Sequence, residues 1–148
     1  MSSVDSYEAS MRAATLSVTI HCPPGKVFNF VSEPMNLPLW SKSFCLSIRL
    51  EQGHWMAETP QGPIKIRIAT HRQLGIADQF LSPAPGVEFM IPTRVVPNGE
   101  GSEFIFTLFQ PEHLSEAEYQ QEVALVQQEL GLLKQILEGS SPADVSME

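Results

Sequence analysis

The side chains able to do chemistry are few in this chain, and they are scattered. His21, His54, His71 and His113 fall in no HxH or HExxH spacing, and Cys22 and Cys45 form no CxxC pair. A metal site would need ligands converging from distant segments, so no metal and no cofactor is expected. No GxSxG, P-loop or dinucleotide fingerprint is present. The Gly99-Glu100-Gly101 run reads as a hairpin loop rather than a phosphate cradle. Cys45, placed in a strand by its neighbours, reads as a small core residue rather than a nucleophile.

One carboxylate stands apart, and its position comes from a helix. Ser115-Glu116-Ala117-Glu118 matches a capping box that opens a helix over about Ser115 to Glu138. Tyr119, Val123, Val126, Leu130, Leu133 and Leu137 recur every three or four residues and form one stripe. Leu125, Leu132 and Ile136 form a second stripe beside it. At ~100° per residue, Glu122 and Glu129 fall between the two. Glu129 is bracketed by Leu125, Val126, Leu132 and Leu133, where a carboxylate is costly unless hydrated, protonated or paired. Two placements stay open. In one, the second stripe covers the sheet rim and Glu129 reaches water. In the other, Glu129 points into a pocket and binds a ligand hydroxyl or amine, or pairs with an inward Arg94. Glu129 is thus the candidate proton-transfer group, with Glu122 nearer a pocket mouth.

The other elements follow from period and punctuation. "TLSVTIHC" alternates as a half-buried strand. In "PPGKVFNFVSE", Pro24 suits a first helical turn, and Val27, Phe28 and Val31 share one face. Pro34 ends that helix, and "PMNLPLW" reads as a short second one, stopped at Pro38 and followed by Trp40. From Ser43 to Gln110 the reading is six strands, with Gln52-Gly53 as a hairpin turn. Pro92 lies inside "VEFMIPTRVV", which makes that strand an edge or a bulged one. The fold class is α+β: an antiparallel sheet of six or seven strands wrapped around one long C-terminal helix, with two short helices after the first strand. Residues 1–13 and 140–148 read as disordered tails and 14–139 as one domain.

Net charge is −8 with 43% hydrophobic residues, an ordinary globular balance. Such acidity disfavours binding to phosphate backbones or anionic lipid surfaces, so no nucleic-acid partner is expected. Two cysteines are too few for a disulfide framework, no signal peptide is visible, and no stretch approaches a membrane span. A cytoplasmic protein is expected.

"VTIHCPPGKVFNFVSEPMNLPLW" resembles the N-terminal signature of the START-like (SRPBCC) superfamily, through Ile20, Pro24, Val27-Phe28, Glu33-Pro34 and Trp40. "ELGLLKQILEG" resembles its closing helix, and the resemblance runs from about Thr15 to Gly139. It implies the helix-grip fold with an apolar cavity between sheet and terminal helix. Members include lipid carriers, polyketide cyclases and aromatases, plant hormone receptors and oxygenase components. The Rieske role needs two Cys-x-His pairs, and there are none.

The expected function is binding of a hydrophobic small molecule: a lipid, a polyketide or an aromatic metabolite. The alternatives are a cyclase or aromatase, in which polar cavity residues shuttle protons, and a protein-interaction module. The expected lining is Trp40, Trp55, Ile66, Ile68, Phe89, Ile91, Phe104, Phe106, Leu125, Glu129 and Leu132. Asp78, between Ile76 and Phe80, is a further candidate for an inward-facing ionisable group, whereas His71 shares the outer face of Lys65 and Arg67.

Overall fold

A computed structural model describes residues 10–139. The expected C-terminal tail, and all but the last few residues of the expected N-terminal one, lie outside the described residues.

Strand β1 (Ala13–Ile20) leads into helix α1 (Pro24–Val31), a 3-10 turn (Pro34–Asn36) and the one-turn helix α2 (Leu37–Trp40). Seven strands follow: β2 (Ser47–Glu51), β3 (His54–Thr59), β4 (Gly62–His71), β5 (Ile76–Ala84), β6 (Val87–Ile91), β7 (Thr93–Asn98) and β8 (Gly101–Phe109). Helix α3 (Glu116–Gly139) closes the chain. The eight strands form one antiparallel sheet in the order β1-β8-β7-β5-β4-β3-β2, with β6 paired to β5 off that path.

Three local readings need amendment. "VEFMIPTRVV" is two strands, because Pro92 has no N–H to continue the ladder: β6 pairs with β5 before it and β7 with β8 after it. This gives one strand beyond the six or seven expected. Pro38 lies in the first turn of α2, where its missing N–H costs nothing, so it starts that helix rather than stopping it. Cys45 sits in the loop before β2 and not in a strand.

Other signals are realised as written. Gln52 and Gly53 have φ of 52° and 82°, the paired left-handed geometry of a tight hairpin turn. Ser115 N–H donates to Glu118 Oε1 at 2.9 Å, and Glu118 N–H donates to Ser115 Oγ at 3.1 Å, so the capping box is closed.

Residues directly opposite in an antiparallel ladder share a face, so the register assigns every side chain. Leu16, Val18 and Ile20 oppose Phe106, Phe104 and Ser102, and these in turn oppose Thr93, Val95 and Pro97. That face is the concave one, and it carries the buried core with Leu130, Leu133 and Leu137 of α3. The backbone of α3 runs close to β1 and α2. Tyr119 O–H donates to Leu108 O at 2.7 Å and fixes its first turns on β8. Lys134 Nζ donates to Thr19 O at 2.6 Å near its end.

Candidate functional site

The helix lies over the β1–β8 side of the sheet, and the rest of the concave face is left partly open. Leu50, Trp55, Ile66, Leu81 and Phe89 are successive cross-strand partners on β2, β3, β4, β5 and β6. They make one continuous apolar row. Its centre, Ile66, is buried, whereas Leu50 is 61% and Phe89 36% exposed, with Trp55 and Leu81 half-buried. The next row is Ile68, Gln79 and Ile91. Leu125 of α3 is 42% exposed, and Val123 is half-buried. Apolar surface left this open on an inner face, beside an otherwise closed core, forms a cleft rather than a sealed cavity.

The expected lining divides between the two. Trp55, Ile68, Phe89 and Ile91 belong to the cleft, with Ile66 as its floor. Phe104 and Phe106 belong to the closed core, together with Trp40, which is fully buried and meets Phe104 edge-on with ring centroids 5.8 Å apart. Leu125 is exposed on α3 and Leu132 half-buried.

Glu129 reaches neither water nor Arg94. It is buried, and Ser41 Oγ donates to its Oε1 at 3.3 Å. Ser43 N–H donates to Oε2 at 3.2 Å, and the Ser43 hydroxyl donates to the same oxygen. The Phe44 backbone N–H adds to them. Burial raises the Glu129 carboxyl above its ordinary value, and these donors pull it part of the way back. Both oxygens are therefore committed to the loop between α2 and β2. Arg94 lies across from Ile76 and Ile105 on the convex face and is exposed, so the expected pairing is overturned by strand register. Cys45, buried beside this knot, has its thiol pushed up to about 11 by burial and by the Glu129 charge.

Asp78 also faces outward. Its Oδ1 accepts from Thr93 N–H at 3.1 Å at the strand edge. The inward residues of β5 are Ala77, Gln79 and Leu81, and Gln79 is the polar side chain that sequence reasoning missed. It is 4% exposed, and its amide forms no hydrogen bond with another described residue. Strict alternation through "IADQFLS" gave two equal choices of face. The register with Ile68 was the missing signal. His71 is exposed on the convex side, on the face of Lys65 and Arg67.

Near the start of α3 the cleft has a polar rim. The rings of Phe89 and His113 lie 6.0 Å apart. Glu122 is exposed, but its carboxyl loses part of its hydration and is raised, with His113 opposing that shift. Two hollows are present. One of about 320 Å³ is lined by Trp55 and Ile66 of the apolar row together with Lys65, Arg67, Phe80 and Glu88, and one of about 380 Å³ lies between α1 and the end of α3. Neither takes in Glu129. Among the described residues no three His, Cys, Asp or Glu are placed to hold a metal ion, and no helix is long and apolar enough to cross a membrane.

No family model and no curated protein matches the chain. Solved structures do. XoxI from Bacillus cereus is 20% identical, with a TM-score of 0.67 over 86% of this chain and 96% of its own. Ara h 8.0201 is 15% identical, with a TM-score of 0.62 over 88% of this chain and 99% of its own. The di-domain ARO/CYC BexL from the BE-7585A biosynthetic pathway is 16% identical, with a TM-score of 0.65. That match spans 89% of this chain and 48% of BexL. The chain has the helix-grip fold of the START-like proteins, as the resemblance in its N-terminal segment implied.

Proposed function

We propose that the domain formed by residues 14–139 binds a hydrophobic small molecule, a lipid, polyketide or aromatic metabolite, in the cleft between the sheet and α3. The observation that carries this reading is the half-exposed row Leu50, Trp55, Ile66, Leu81 and Phe89. An inner sheet face that its own helix leaves uncovered costs free energy in water, and an apolar ligand removes that cost. Gln79 supplies a buried amide in the middle of this surface, suited to orienting one polar atom of the ligand. The enzyme alternative needs a proton-transfer group facing the substrate. Glu129, whose oxygens are held by Ser41 and Ser43, is better read as a latch on the α2–β2 loop.

Titration with fluorene and with oleate, followed by Trp55 fluorescence and by thermal melting, tests the reading. Saturable binding of at least one, with a raised melting temperature, is expected. No saturable binding of either would overturn it.

A further inference from the structure

Among the described residues six polar side chains are buried: Ser41, Thr59, Gln79, Thr93, Ser102 and Glu129. Five of them are bonded within the protein. Ser41 holds Glu129, and Thr59, Thr93 and Ser102 donate to the carbonyls of Gly62, Ala77 and Cys22. Gln79 alone, 4% exposed, makes no hydrogen bond to another described residue. A buried carboxamide with neither its donors nor its acceptor met is the exception in a folded protein.

The amide is unpaired but not sealed. The one described side-chain nitrogen or oxygen that is both shut off from solvent and unpaired is Trp40 Nε1, so both polar atoms of Gln79 touch space that a water molecule can reach. Register puts that space on the inner side of the sheet. Gln79 lies between Ile68 and Ile91, in the row beside Ile66, Leu81 and Phe89. Its amide therefore opens onto the apolar surface of the cleft.

The charges around it are one-sided. Of the nine Lys and Arg residues, Arg49, Lys65, Arg67 and Arg94 stand on the convex face, opposite Met56, Ser82, Phe80 and Ile105. Arg12 and Lys134 pair with Glu116 and Glu138, Arg72 lies over the Phe28 ring, and Lys26 and Lys42 are exposed. None of the buried residues is a cation. An anion carried to Gln79 would lose its hydration with no countercharge to replace it.

We propose that Gln79 is the specificity-determining residue of the cleft and that it selects an uncharged ligand, an apolar ring system or chain bearing a carboxamide or lactam. The ligand N–H donates to Gln79 Oε1, and the ligand carbonyl accepts from Nε2. This rests on the ligand-binding reading above and names the polar group that reading leaves open. A hydrocarbon displaces water from the amide and meets neither of its atoms. A carboxylate meets Nε2 but sets its own lone pairs against Oε1.

The matched probes are fluorene, fluorene-9-carboxamide and fluorene-9-carboxylate, which share one ring frame. Each is titrated at neutral pH into wild type and into Gln79→Met, which keeps the length of the side chain and removes its amide. The carboxamide is expected to bind wild type about fivefold more tightly than fluorene, the ratio one net hydrogen bond supplies. The carboxylate should bind at least tenfold more weakly than the carboxamide. In Gln79→Met the advantage of the carboxamide over fluorene should vanish while fluorene keeps its affinity. In wild type the Gln79 side-chain N–H₂ resonances should lie further downfield in the carboxamide complex than in the fluorene complex. A carboxylate that binds as well as the carboxamide, or a carboxamide preference that survives in Gln79→Met, overturns this inference and leaves the binding function standing. Failure of all three probes to bind overturns both. Should Gln79→Met not fold, the wild-type affinities and resonances decide, and equal resonance positions in the two complexes overturn the inference.

Discussion

Glu129 shows how one residue can look like chemistry and act as architecture. Its helical position, between two apolar stripes, is what made it conspicuous, and the structure answers the desolvation with donors from Ser41, Ser43 and Phe44. Its folded-state carboxyl is raised above the ordinary value of 4.5, so the folded protein holds that proton more tightly than the unfolded chain. The contribution to stability is then fully present below the unfolded value and is lost as pH rises through the raised folded value. Glu129→Gln removes this linkage. In denaturant melts between pH 4 and pH 8, the advantage of wild type over Glu129→Gln should be largest at the acid end and should shrink as pH rises. A gap that widens with pH would mean the carboxylate is the favoured form and the shift has the opposite sign. At any pH the amide turns an N–H₂ toward loop donors, so Glu129→Gln should be less stable than wild type by about 1–3 kcal/mol. The sequence showed that Glu129 needed a partner. Which partner depended on a loop some 86 residues away in the chain, and no local pattern carries that.

Elements were more legible than their faces. The Gln52-Gly53 turn and the Ser115–Glu118 box are local devices, written in adjacent residues and realised as such. The inward face of β5 was not, because period-2 alternation says only that two faces exist, and a one-residue choice inverts them. The corner between β4 and β5 has a further requirement. Gly75 has φ of 69°, and a Cβ there would lie 2.0 Å from Val95 O, while Val95 N–H donates to Gly75 O at 2.8 Å. The corner is therefore pressed backbone-to-backbone on β7. Gly53 has φ of 82°, but a Cβ there meets nothing within 4 Å. Gly53→Ala should cost about 1 kcal/mol, the conformational penalty alone. Gly75→Ala should cost about 3 kcal/mol or more, since β7 must also be displaced. Equal losses in chemical denaturation would show that the corner yields freely and does not brace the sheet.

At the scale of the whole molecule the helix-grip arrangement divides one concave face into two regions with opposite demands. Toward β1 and β8 it is a sealed core built on Trp40, Phe104, Leu130 and Leu133. Toward β2 to β6 it is covered only in part: Ala57, Ile66 and Gln79 are buried, whereas Leu50 and Phe89 are exposed. The row from Leu50 to Phe89 lies within that second region and holds both buried and exposed residues, which makes the contrast testable within a single set of cross-strand partners. Ile66 is 2% exposed and Phe89 is 36% exposed, though both lie in the same row. A charge at Ile66 would be buried without a partner, so Ile66→Glu should lose the cooperative melting transition. Phe89→Glu keeps its carboxylate in water at the rim, so the melting temperature should fall by no more than a few degrees. Fluorene binding should nevertheless weaken at least tenfold, because the rim charge must be desolvated when the ligand enters. Phe89→Leu, which keeps the rim apolar, should restore most of that binding. If Phe89→Glu binds fluorene as wild type does while Ile66→Glu still unfolds, the row is core that merely frays at its ends. The ligand would then have to enter elsewhere.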